Sequence, residues 1–204
     1  MFFLEDSLNV TLIGDWNKLY IEPEWMAEHV YETNEIELGI NGKISEFSIT
    51  YRSNGVKIFP SQTQLSFTAA NTTNQTLEYF AKCINNFLDK AYTTELHAYG
   101  INIDFVEEDT RLFSDVLDNM SDSNLIINSG YQIAATSINR RLEKDGKIIN
   151  MESSMGDSKL KVHFNEHHQL PSKKPIFTSQ IFNNFIGECV EIVKGLDYEM
   201  EGEE

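Results

Sequence analysis

His163-Phe164-Asn165-Glu166-His167, followed at once by His168, is the stretch of this chain whose residue types and spacing spell chemistry. Two imidazoles four residues apart lie on one face of an α-helix with Cβ atoms about 6 Å apart, close enough to share a zinc ion. A glutamate between them then polarises a bound water. The requirement is a helix. Yet the residues leading in, Lys159-Leu160-Lys161-Val162-His163-Phe164, alternate strictly between polar and apolar, which is the period of a strand. In a strand the two imidazoles stand roughly 13 Å apart, beyond the reach of one ion. Pro171, Ser172 and Pro175 follow, so no helix continues through the string.

The letters H-x-x-E-H superficially resemble the signature of the inverzincin metalloproteases. That family sets the string inside a long helix and takes a third, acidic ligand far downstream, whereas only 37 residues follow His167 here. His163, Glu166 and His167 are metal candidates through that resemblance. Period and context instead predict a last strand with Leu160, Val162 and Phe164 facing the core and His163 on the wet face. Glu166, His167 and His168 then lead into a longer connection. The expectation is no metal and no cofactor, with histidines that tune a surface near pH ~6.5.

Other chemistry is sparse. No G-x-G-x-x-G, P-loop or G-x-S-x-G occurs. Cys83 and Cys189 sit at apolar helix positions, where a thiol is buried and inert. Asp104, Glu107, Glu108 and Asp109 gather at the end of a strand. They are candidate partner-binding acids, or an acid/base or metal group; their structural reading is an acidic loop with the first turn of the next helix. Trp16 and Trp25 flank the first strand-helix junction and read as core and edge packing.

The elements that position these residues follow from hydrophobic period. Residues 9–16, NVTLIGDW, read as a strand, and 22–32, EPEWMAEHVYE, as a short helix with Pro23 in its first turn. EIELGI, the Asn41-Gly42 hairpin signal and KISEFSITY come next, with Phe47, Ile49 and Tyr51 on the buried face. Ser53-Asn54-Gly55 turns the chain into VKIF and TQLSFTA, completing an antiparallel meander. The period then lengthens, and Leu77, Phe80, Ile84 and Phe87 mark the buried stripe of an amphipathic helix capped within 71–74.

A similar order follows. Residues 96–106 put Tyr99, Ile101, Ile103 and Phe105 on one strand face, and 108–120 form a short helix. Residues 124–155 supply two or three strands with Asp145-Gly146 as a hairpin turn. A helix over 177–195 has Ile181, Phe185, Cys189 (or Glu188) and Ile192 near helical spacing as its apolar stripe and stops at Gly195. The two long helices align at a constant offset of 106, Cys83 against Cys189. This is the pattern of an internal duplication of a β-α-β-β-β(β)-α unit. Residues 1–95 and 96–196 are the two repeats, packed as one globular unit, and 197–204 are a disordered acidic tail.

That order resembles the TATA-binding-protein-like and helix-grip architectures. The resemblance implies an α+β fold, an antiparallel curved sheet with long helices packed on one face. It carries no motif and transfers no function.

Composition bounds the function. With 32 acidic against 16 basic residues the net charge is −16, and no dense basic cluster exists to displace counterions from phosphate. Direct binding to nucleic acid or to an anionic membrane is not expected. The start MFFLEDSLNV lacks the basic and long apolar regions of a signal peptide, and two distant cysteines suit a reducing compartment. The expected protein is cytoplasmic, from a bacterium or phage by its Ile- and Asn-rich composition. Its expected role is non-enzymatic: an adaptor, an inhibitor or a subunit of a larger complex. The partner is another protein or a second copy, with a homodimer as the default. One alternative is an acidic DNA mimic that occupies a nucleic-acid-binding protein. Another is a small-molecule binder or enzyme with a cavity between sheet and helix.

Overall fold

A computed structural model describes residues 1–16, 22–43, 46–61, 63–91, 96–108, 128–129, 136–156, 159–169 and 174–196. Strict alternation makes most of the strands. β1 (Phe2–Phe3) and β2 (Asn9–Gly14) precede a short α1 (Pro23–Trp25), continued by a π-helical segment, Met26–Tyr31. β3 (Glu37–Lys43), β4 (Glu46–Ser53), β5 (Val56–Pro60) and β6 (Gln64–Ala69) lead to α2 (Asn74–Lys90). β7 (Leu96–Glu107), β8 (Thr136–Lys144), β9 (Lys147–Gly156), β10 (Lys159–Gln169) and α3 (Ser179–Lys194) complete the described chain. The fold is α+β: one curved antiparallel sheet of ten strands with the helices.

The sheet order is β3-β4-β5-β6-β2-β7-β10-β9-β8, with β1 added beside β7. Each half places its first strand, β2 or β7, at the centre of the sheet, and the strand before its long helix, β6 or β10, pairs back onto it. Thr73 and Thr178 cap the two long helices in the same way, each side chain accepting from the backbone N–H three residues on. These caps stand 105 apart, one less than the offset read from the sequence. At that spacing Leu77, Phe80, Ile84 and Leu88 match Phe182, Phe185, Cys189 and Val193, all buried.

Those two rows cover one face of the sheet. Phe80 meets Phe182 at 4.9 Å between ring centroids, and Phe67 meets Phe87 at 5.9 Å. Trp16 and Trp25 both stand edge-on to Phe87. The π-helical turn aims the buried Tyr31 hydroxyl at the Tyr51 carbonyl, 3.0 Å away, tying it to the meander. Burial pushes the Tyr31 phenol far above its ordinary value, so it stays a donor.

Three readings need correction. β3 runs through Asn41-Gly42, and the ladder pairs Lys43 with Glu46, so the reversal falls three residues later than the Asn-Gly signal. Pairing with β4 outweighs local turn propensity there. Ile49 is 40% exposed rather than buried, because β3 and β4 extend past the helices; the Phe47 side chain is outside the described residues. On α3 the buried row begins at Phe182, while Ile181 is 38% exposed. The expected helix over 108–120, from residue 109 on, and the acidic tail also lie outside the described residues.

The last correction makes a test. Phe87→Ala should cost about 3–5 kcal/mol in urea unfolding, as large-to-small changes in a packed core do. Ile181→Ala should cost less than ~1 kcal/mol, since a half-exposed side chain leaves no cavity.

Candidate functional site

β7 sorts its residues by parity. Ile101, Ile103 and Phe105 are buried beneath the helices, and Asn102 and Asp104 stand on the opposite face. No described helix covers that opposite face. Register then does what no local sequence signal announces. Asn150, Asn165, Asn102 and Asn9 lie directly opposite one another on β9, β10, β7 and β2.

Their amides bond in one direction. Asn150 donates to Asn165 at 3.3 Å, Asn165 to Asn102 at 2.6 Å, and Asn102 to Asn9 at 2.9 Å. Thr11 donates to the same Asn9 oxygen at 3.3 Å and lies 3.2 Å from Ser66 on β6. Asn9 donates onward to the Ser7 carbonyl. An amide supplies two donors and an acceptor with two lone pairs, so such a row keeps bonding capacity to spare. Gly100 makes room for it: a Cβ there would stand 2.7 Å from the Asn165 amide nitrogen.

Beside the amide row runs a charged one. His163 Nδ1 lies 2.7 Å from Asp104 Oδ1, and Lys161 Nζ 2.9 Å from Asp104 Oδ2. Burial works against ionisation of Asp104. The hydrogen bonds from His163 and Lys161 outweigh it and hold the carboxyl below its ordinary value. Ser7 brackets the backbone of Asp104, its hydroxyl accepting from the N–H and donating to the carbonyl.

The histidine string is strand throughout: β10 continues to Gln169, past Glu166, His167 and His168, instead of passing there into the expected longer connection. Pairing with β7 carries it on to Ala98. Alternation therefore splits the string. His163 and His167 face outward on the open side, whereas Glu166 turns under α3 and is only 7% exposed. The three candidate zinc residues do not converge. Among the described residues no group of three His, Cys, Asp or Glu side chains is placed to hold a metal.

Glu166 instead belongs to a second cluster. Its carboxylate lies 2.7 Å from Lys147, which also reaches Glu188 at 2.5 Å and stands 5.7 Å above the Phe185 ring. His168 stacks on Tyr99, with centroids 4.4 Å apart. Its Nε2 comes within 2.8 Å of a Glu166 carboxylate oxygen. Burial opposes ionisation of Glu166, but His168 and Lys147 prevail and lower its pKa. Cys189 is buried in α3 nearby and burial pushes its thiol far up; the same cause takes Cys83 to about 12. Neither thiol is a nucleophile at neutral pH.

The remaining strand-end acids are scattered. Glu107 pairs with the Met1 amino group and Glu108 with Lys159 at 3.0 Å, while Asp109 is outside the described residues. Of its described members, Asp104 is the one bonded to His163 and Lys161 in the open-face rows. Sequence reading missed the four asparagines. Each is an ordinary polar strand residue by itself, and only long-range pairing lines them up.

No family model matches this chain, and no curated protein matches it either.

Two tests follow from the geometry. Asn102→Ala removes a donor and an acceptor from the middle of the row and should cost ~1–2 kcal/mol, against less than ~0.5 for Asn150→Ala at its end. Urea unfolding reads both. Asp104 contributes stability that is complete above the unfolded carboxylate value near ~3.9 and is lost as pH falls through its lowered folded value. Wild-type urea midpoints should therefore fall between about pH 5 and pH 3, and Asp104→Asn should flatten that fall. An unchanged slope contradicts the assignment.

Proposed function

We propose that the protein is a non-enzymatic, cytoplasmic interaction module that docks a protein partner on the helix-free face of its sheet. The observation that carries this reading is the directional amide row Asn150-Asn165-Asn102-Asn9, with Asp104, His163 and Lys161 beside it. A row held in place by its own hydrogen bonds presents spare donors and acceptors without further ordering, which lowers the entropic cost of docking. The net charge of −16 favours a partner with a basic surface and speeds its encounter.

Catalysis has less support. The titratable groups that meet here are already compensated ion pairs, and both thiols are held protonated. Phe67, Phe80, Phe87 and Phe182 fill the space between the sheet and the helices, and in the cleft between α3 and the β8–β9 hairpin Lys147 and Glu188 already pair with each other. A DNA mimic needs acids at phosphate-like spacing. Several described acids are instead paired with cations, as Asp6 with Lys57, Glu32 with Lys82 and Glu143 with Arg141. The internal duplication stays part of this proposal: two related halves would account for the like-placed caps and first strands.

Affinity capture from the native cell with wild type and with Asn102→Arg/Asn165→Arg tests the reading. Circular dichroism should report both proteins folded. A protein recovered with wild type and lost with the double variant supports docking on this face. Equal recovery, or no recovery with either, contradicts it.

A further inference from the structure

The two ends of the sheet are built differently. β8 closes one end with Arg140, Arg141, Glu143 and Lys144, all exposed, in a strand of nine residues. Charges of this density along an edge are the usual guard against strand addition. β3 closes the other end and has no such guard. Residues 38 to 42 are uncharged, and Leu38 and Ile40 are 49% and 68% exposed. Ile40 lies directly opposite Ile49, itself 40% exposed, on the face that further along carries the buried Tyr51. The apolar side of the sheet thus runs out to an edge that no described strand covers.

The order of charges along β3 adds a second observation. Glu37 begins the strand and Lys43 ends it, with Ile40 midway between. If β3 met a second β3 antiparallel about a two-fold axis at Ile40, position 37 of each copy would fall opposite position 43 of the other. Glutamate would face lysine at both ends of the pair. Leu38 would fall opposite Gly42, and Ile40 opposite Ile40. A parallel arrangement in the same register would set like charges against each other, which is unfavourable.

We propose that this edge is the self-association surface of the protein, and that two copies join β3 to β3 in antiparallel order to make one continuous sheet. The occupant is a second copy of this chain. A self-complementary strand is what an isologous two-fold contact requires. Main-chain hydrogen bonds along the new pair provide affinity, the Leu38, Ile40 and Ile49 side chains of both copies bury their exposed area, and the terminal charges fix the register. The proposal extends the interaction reading by adding a second partner surface, apart from the open face. The charged β8 edge limits growth to a dimer, because each copy offers one unguarded edge.

Sedimentation velocity of the full chain, from about 1 to about 100 µM, provides the test. Wild type should be a concentration-dependent dimer. Ile40→Lys places two like charges opposite each other on the axis and should be monomeric, with unchanged circular dichroism and melting. Glu37→Lys and Lys43→Glu should each weaken the dimer by about tenfold or more, since each sets like charges opposite one another. Mixing these two variants in equal amounts should restore it, because both terminal pairs are then complementary.

A monomeric wild type overturns the proposal, as does a dimer untouched by Ile40→Lys in a folded protein. Failure of the mixed variants to associate overturns the antiparallel register. Should Ile40→Lys fail to fold, the charge variants and their mixture decide alone. A negative result here leaves capture through the open face untouched. Loss of that capture reading in turn leaves the dimer standing.

Discussion

The register of β7 is the constraint on which the rest of this molecule depends. Its twelve residues pair with β10 along one edge and with β2 and β1 along the other, so it joins the strands of both halves. Its odd positions, Ile101, Ile103 and Phe105, enter the core, and its even positions, Gly100, Asn102 and Asp104, build the open face. A slip of one residue would exchange the two sets. Each large apolar side chain so exposed would forfeit roughly 1.5–3 kcal/mol. Burying Asp104 and Asn102 would add desolvation costs of their own. The same alternation that makes the core therefore also makes the candidate site.

Charge is arranged to suit that division. Most of the excess negative charge stays exposed, where water screens it and where it shapes encounters more than stability. Among the described residues, Glu166 beneath α3 and Asp104 on the open face are shielded and each is held by a lysine and a histidine, while the equally shielded Glu107 is held by the Met1 amino group. Burial of a carboxylate is tolerated on such terms, and removal of either lysine would leave an uncompensated charge. Of the histidines in the string, His163 thus partners Asp104 on one face of β10 and His168 partners Glu166 on the other.

Much of the fold was legible beforehand, and the failures have common causes. Period located the strands, and Asn54-Gly55 and Asp145-Gly146 mark tight turns whose residues have positive φ. Asn41-Gly42 misled because a local signal gave way to cross-strand pairing with Ser48 and Phe47. Ile181 misled because successive apolar residues on a helix leave its phase open by one position, and tertiary packing chose Phe182. The candidate site was hardly legible at all. Asp104 and His163 could be singled out individually, but their meeting depends on a register between strands separated by some sixty residues. The amide row needs three such registers at once.

Nuclear Overhauser contacts of the Asn102 side-chain amide protons test the central claim most directly. The account predicts contacts to the amides of Asn9 and Asn165, across both edges of β7. Contacts instead to the aromatic protons of Phe105 or Phe164 would mean that β7 lies in the other register, and would contradict the account.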